Sequence, residues 1–438
     1  MKKNLTLYLA VALAAMALLV NGLTYRYWYS DTVSGDAKLY NTIAVALLQG
    51  ESTYELVDQQ WDIAQVVTPF YPALVAGVYF LAGESLGNVY IFNILLFASS
   101  VVLLFLSMKT VSQNNWIALV VSLMYLFYYP LLKYNTTVLM EIPTMFFLSL
   151  SLYLLVNYFN KKMPGYLYAA IAVFTWLTLV NNRFIVLLGF LAIFLFINSL
   201  LEKENFRRTV LIPAAIILFM LAPWFIRQYI VYNQFVFFTP MWHNDVSDKL
   251  GVLNRIDAFT YVDTNIFMRP FSFGNYIKRI QKYSREGEQT EQRLNAFTED
   301  KYNQLMAEHN PNENIYWHRV KRYFTLYFKE FTFSGPQDYR LISPSSSILK
   351  LTQILILMPL LLLAALGFYI AMIKKNKTIL LFSILFIAHI ILHTLVHFNF
   401  RYRLTAIPLI LIIAAYAANE VFEYIKKKSS FNMADNSL

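Results

Sequence analysis

A segment that crosses a lipid bilayer must satisfy its backbone N–H and C=O groups internally, so a long apolar run in such a chain can only be a helix. The apolar layer is about 30 Å thick and takes about 20 helical residues. Ten runs of roughly this kind recur along the 438 residues, at 5–23, 88–108, 116–132, 142–158, 166–180, 184–201, 210–226, 348–373, 379–396 and 404–421. An eleventh, 69–82, is about two-thirds of a span and is expected to lie in the interface or to re-enter. Composition agrees: 58% of residues are apolar and 14% charged, against about 25% charged in soluble domains. A mean hydropathy of +0.47 leaves too much apolar surface for one water-soluble core. The sequence therefore predicts an all-α polytopic membrane protein of about ten spans, with interfacial helices and a mainly helical loop domain outside the membrane. Cysteine is absent, which excludes disulfides, thiolate metal sites and cysteine nucleophiles together.

The basic residues orient the chain. With a cytoplasmic amino terminus, the inner side receives Lys2, Lys3, Lys109, Lys161, Lys162, Lys203, Arg207, Arg208, Lys374, Lys375, Lys377 and Lys426 to Lys428, 14 basic residues against five acidic ones. The net charge of +10 is thus almost wholly a topological signal, and it gives no reason to expect nucleic acid. A signal-peptide cleavage at Ala15-Met16-Ala17 is outweighed by continuation of the apolar run through Leu18, Leu19 and Val20. The expected organisation is a membrane module over 1–228 with a catalytic first outer loop at 24–68, an extracytoplasmic loop domain at 229–346, further membrane helices at 347–425 and a cytoplasmic tail at 426–438. The expected location is the plasma (inner) membrane, multi-pass, with the active site facing outside or the periplasm.

Informative residues gather at the outer ends. Leu39, Ile43, Ala46 and Leu47 recur at helical spacing, so the chain after Asp36 is expected to form an amphipathic helix on the membrane surface, closed by Gly50. Asp36 suits an N-cap, and the same carboxylate is placed to act as a general base toward a hydroxyl at the membrane surface. Glu141 lies at the outer end of the fourth span, where a carboxylate is either a helix-dipole partner or a group that needs a cation or metal. Arg183, Arg227, Arg401 and Arg403 sit at outer span ends, against the inside-positive bias. Each alone can snorkel to headgroups. A phosphate or pyrophosphate at the boundary accounts for all four, because guanidinium forks match phosphate oxygens. His389, His393 and His397 are spaced by four on one helix face and read best as a polar seam between helices, with His397, nearest the outer surface, the candidate for a metal ligand.

Several stretches together resemble a known family. They are Gly35-Asp36 before an amphipathic helix, Thr68-Pro-Phe-Tyr-Pro-Ala-Leu74, Met140-Glu-Ile-Pro-Thr144, Ala222-Pro-Trp-Phe-Ile-Arg227, Ala307-Glu-His-Asn-Pro-Asn-Glu-Asn-Ile-Tyr-Trp-His-Arg319 and Arg401-Tyr-Arg-Leu-Thr-Ala-Ile-Pro408. Their order and topology resemble the GT-C membrane glycosyltransferases, in particular the branch of protein O-mannosyltransferases and aminoarabinose transferases. The resemblance implies transfer of a sugar from a polyprenyl-phosphate carrier to a protein, lipid or glycan acceptor on the extracytoplasmic side. It puts the family's first-loop acid on Asp36 and its second acid on Glu141. Where several relatives have an acid and a lysine before a Pro-Pro pair, this chain has Val66-Val67-Thr68-Pro69-Phe70, with its nearest upstream acid at Asp62.

The chemistry that follows is an inverting displacement. Asp36 takes the acceptor proton, the four arginines neutralise the departing phosphate, and Glu141 orients the sugar or acceptor. A divalent ion held by Glu141 and His397 is the one cofactor the reading leaves open. Tyr40, Asp62, Tyr71 and His243 are further candidates for contact with acceptor or sugar. The alternatives are a transporter or flippase of a phosphate-bearing lipid or sugar, and a polymerase or ligase of lipid-linked oligosaccharides.

Overall fold

The computed structural model describes residues 2–33, 35–50, 70–203, 205–232, 346–395 and 403–435. Most of these residues are helical, and no strand occurs among them. The chain order is α1 (Lys2–Trp28), α2 (Gly35–Leu48), α3 (Phe70–Ala82), α4 (Leu86–Ser112), α5 (Asn115–Leu126), α6 (Tyr129–Tyr134), α7 (Glu141–Lys161), α8 (Pro164–Val180), α9 (Phe184–Leu201), α10 (Ile212–Tyr232), α11 (Ser346–Lys374), α12 (Lys377–Leu395) and α13 (Ile407–Asp435). A π-helical turn, Arg207–Leu211, leads into α10, and a 3-10 turn, Leu404–Ala406, leads into α13.

Seven of these helices are long and apolar enough to cross a membrane: Asn4–Tyr27, Leu86–Ser112, Glu141–Lys161, Phe184–Leu201, Arg207–Arg227, Leu355–Lys374 and Leu404–Ser429. Three more of the ten expected spans fall on the shorter apolar helices α5, α8 and α12. The run expected over 116–132 is divided, since α5 stops at Leu126 and Pro130 opens the separate six-residue α6. Proline suits the first turn of a helix, where the amide donors have no intrahelical partner, and fits poorly in a helix interior. The short run at 69–82 forms the 13-residue α3.

Lys109, Lys161 and Lys374 lie in the last turns of α4, α7 and α11, and Lys377 opens α12, at one end of the spans. There Lys377 pairs with Glu202 at 2.8 Å and Lys374 pairs with Glu420, which joins α12 to the end of α9 and α11 to α13. Both pairs are solvent-exposed and add little stability.

α13 is the innermost of the described spans. Every residue from Leu404 to Ala417 is buried, and the helix packs on α4, α5, α7, α11 and α12. Its closest approach is to α11 at Gly367, where a Cβ would lie 2.6 Å from the Ile413 carbonyl oxygen and 2.8 Å from its Cγ2. Because the obstacle includes backbone, relief requires the two helices to part. Gly367→Ala is therefore expected to destabilise the bundle by roughly 1–3 kcal/mol through overpacking, read as a lower unfolding temperature in detergent; an unchanged melting curve would contradict this close packing.

Candidate active site

The end of the bundle opposite the lysines is built by the last turns of α1, α8, α10 and α12 and the first turns of α2, α3, α4, α7, α9 and α13. α2 begins at Gly35, so Asp36 lies in the first helical turn instead of at the cap, where the helix dipole still favours a carboxylate. Gly50, at φ +76°, ends the α2 region in the left-handed conformation that glycine adopts without strain. The apolar face of α2 is seated on α3: Tyr40, Ile43, Ala44 and Ala46 are buried there.

Tyr40, one turn after Asp36, ties α2 to the rest of the site. Its ring meets that of Tyr71 edge-on at 4.9 Å, and its hydroxyl reaches the Met140 sulfur at 3.8 Å. Met140 directly precedes Glu141. The Tyr71 ring is buried within electrostatic reach of Glu141, Tyr40, Tyr79 and Tyr90. Tyr79 in turn donates to Asn41, and Tyr90 donates to the Ser30 carbonyl at 3.1 Å while its ring packs against Tyr25 and Tyr29. Of the sequence candidates, Asp36's helix, Tyr40, Tyr71 and Glu141 thus belong to one aromatic and acidic cluster. Tyr79 and Tyr90 stand in apolar runs, where an aromatic ring has the pattern of an ordinary span residue.

Glu141, only 2% exposed, stands in the first turn of α7. Thr144 is one turn along on the same face, and its hydroxyl accepts from the Asn181 amide at 3.4 Å. Asn181 caps the end of α8, and Arg183 stands at the start of α9 in the same tight turn, closed by Phe184 N–H to Asn181 O at 3.0 Å. This turn faces a second one across a small cavity with room for about one water molecule; Asn181, Arg183, His389, His393 and Thr405 supply its polar lining. His389 Nε2 and Thr405 Oγ1 are 2.9 Å apart, and the His389 and His393 rings meet at 4.4 Å, tilted by 53°. The histidine pair is therefore a seam between α12 and the turn leading to α13, as its spacing suggested. Arg403, buried at 4% exposure, begins that turn within electrostatic reach of Tyr128.

Arg227 joins a neighbouring aromatic group. Its guanidinium lies 5.1 Å from the Trp224 ring, a cation–π distance. Phe70 bridges Trp224 and Trp176 edge-on, at 5.5 and 5.6 Å, so α10, α3 and α8 meet beside Tyr71.

Asp62, His243, His397 and Arg401 lie outside the described residues, as does most of the loop domain expected at 229–346. Among the described residues no three His, Asp or Glu side chains gather as metal ligands would. Of the two expected metal ligands, Glu141 alone lies among the described residues.

The described residues thus form an all-α bundle with seven helices long and apolar enough to cross a membrane, in which Glu141 and Arg403 are buried and Arg183 and Arg227 half-buried at helix ends. Residues 66–226 match the model of the family described as dolichyl-phosphate-mannose-protein mannosyltransferase, a family of the GT-C type. The matched segment runs from just before α3 nearly to the end of α10 and includes Tyr71, Glu141 and Arg183; Asp36 and Arg403 flank it, and Arg227 follows it by one residue. No curated protein matches the chain by sequence.

Proposed function

We propose that the protein moves a sugar from a polyprenyl-phosphate donor to an acceptor hydroxyl at the extracytoplasmic face of the plasma membrane, with inversion at the anomeric carbon. The acceptor oxygen attacks that carbon as its bond to the phosphate oxygen breaks. Asp36 takes the hydroxyl proton, and the bonding electrons leave with the phosphate. Arg183, Arg227, Arg401 and Arg403 offset the charge that builds on the departing group, in a boundary region where such charges are worth more than in water. Glu141 orients the sugar or the acceptor beside Tyr40 and Tyr71. The lysines at the opposite end support the outward assignment.

The observation that carries the reading is the continuity at one end of the bundle. Asp36's helix meets Met140 and Glu141 through Tyr40, and α7 meets the Arg183 turn through Thr144 and Asn181, across the histidine cavity from the Arg403 turn. The family match over 66–226 supports a sugar-transfer reading of that arrangement. The test supplies radiolabelled polyprenyl-phosphate sugar and candidate protein, lipid and glycan acceptors to the purified protein. Release of polyprenyl phosphate in proportion to label on an acceptor is expected. Binding of the donor without turnover under any acceptor would instead mark a transporter or flippase and overturn the proposal; extension of a lipid-linked oligosaccharide would assign a polymerase or ligase.

A further inference from the structure

The stretch between α6 and α7, residues 135–140, is not helical, and it is buried at Asn135, Thr136 and Val138 and half-buried at the rest. Irregular backbone inside a membrane bundle is tolerated only where neighbouring protein satisfies its polar groups. Here the partners come from two helices that contribute none of the charged groups of the site. Asn93 of α4, fully buried, donates its Nδ2 to the Thr137 carbonyl at 2.8 Å. Asn135 donates to Asn21 of α1, itself fully buried and fastened to the Ala17 carbonyl at 2.6 Å. Within the stretch, Thr136 and Thr137 turn their hydroxyls back onto the Lys133 and Tyr134 carbonyls, at 3.1 and 2.8 Å. Four residues after Thr137 comes Glu141, and the first turn of α7 is then closed by Thr144 N–H to Met140 O at 2.9 Å.

An amide in the middle of an apolar span is costly to bury unless its hydrogen bonds are met, and it is worth its place only where something needs its donor. At Asn93 that something is a carbonyl in the strap that delivers Glu141. We infer that Asn93, backed by Asn21 through Asn135, is a positioning residue that fixes where α7 begins and thereby where the Glu141 carboxylate stands. The inference rests on the reading of Glu141 as part of the active site. Asn93 touches no substrate in this scheme and acts only through the strap.

The two roles separate in a double-mutant cycle on the purified full-length protein, with labelled polyprenyl-phosphate sugar as donor. Asn93→Ala frees the strap, and a misplacement of about 1 Å is enough for a loss of about 10²-fold in rate. The expected result is that loss in kcat with donor KM changed less than threefold (about, by the same geometric argument), and no further loss when Asn93→Ala is added to Glu141→Gln, because the group being positioned has already been removed. A general weakening of the bundle would instead multiply the two losses. Should Asn93→Ala fail to give monodisperse protein, Asn21→Ala loosens the same strap from α1 and goes through the same cycle. Wild-type kcat in the asparagine variant, or losses that multiply, overturns the positioning role. Wild-type turnover in Glu141→Gln alone overturns the role of Glu141 and the inference with it, a failure distinct from multiplicative losses beside an impaired Glu141→Gln.

Discussion

Asp36→Asn is expected to slow sugar transfer by about 10²- to 10⁴-fold, the usual contribution of a positioned general base, while the protein still inserts and purifies as a folded species. The two halves of that expectation have separate physical grounds. α2 is held to α3 by Tyr40, Ile43, Ala44 and Ala46, all buried, whereas Asp36 is half-buried in the first turn and carries none of that packing. The amide has the same shape, and the dipole interaction it forfeits is worth roughly 0.3–1 kcal/mol. What it cannot do is accept the acceptor's proton. The measurement is initial rate at saturating donor and acceptor, beside the elution profile in detergent. Transfer near the wild-type rate would remove Asp36 from the mechanism.

Arg403→Ala carries the second large effect, a fall of about 10²- to 10³-fold in kcat, the scale found when one preorganised donor to a developing charge is deleted. Arg403 is buried and begins the turn whose Thr405 is fastened to His389 at 2.9 Å, so its backbone is fixed before any substrate arrives. Such a group loses little freedom on meeting a phosphate, which is the condition under which a guanidinium is worth most. Arg403→Lys keeps the charge but not the planar fork, and its rate is expected to fall between those of the wild type and the alanine variant. Single-turnover rates with labelled donor separate this loss from weaker donor binding. An alanine variant that turns over as fast as the wild type would show that Arg403 serves the packing around Tyr128 and not the leaving group.

The spans were legible because a helix in lipid writes its length as an uninterrupted apolar run, and the end of the bundle at which Glu141, Arg183, Arg227 and Arg403 gather follows from counting crossings. The division of 116–132 was also written in the sequence, at Pro130, but an apolar run around one proline reads as a kinked span until its neighbours are known. Asn21 and Asn93 were harder. Each is a single amide in an apolar helix, and its partner lies in another part of the chain, beyond the reach of any local pattern. The same holds for Thr405, whose hydroxyl matters only because His389 stands opposite it. α2 lay between the two cases: its spacing announced an apolar face, and the structure supplies what covers it, the tyrosine-rich side of α3.

The burial of α13 also dictates an order of events during biosynthesis. The innermost of the described helices is the last of them to leave the ribosome, so its predecessors must enter the bilayer around a vacancy that only this final segment fills. Until it arrives, lipid or the insertion machinery has to occupy the middle, and Arg403 reaches its station at the very moment the bundle closes.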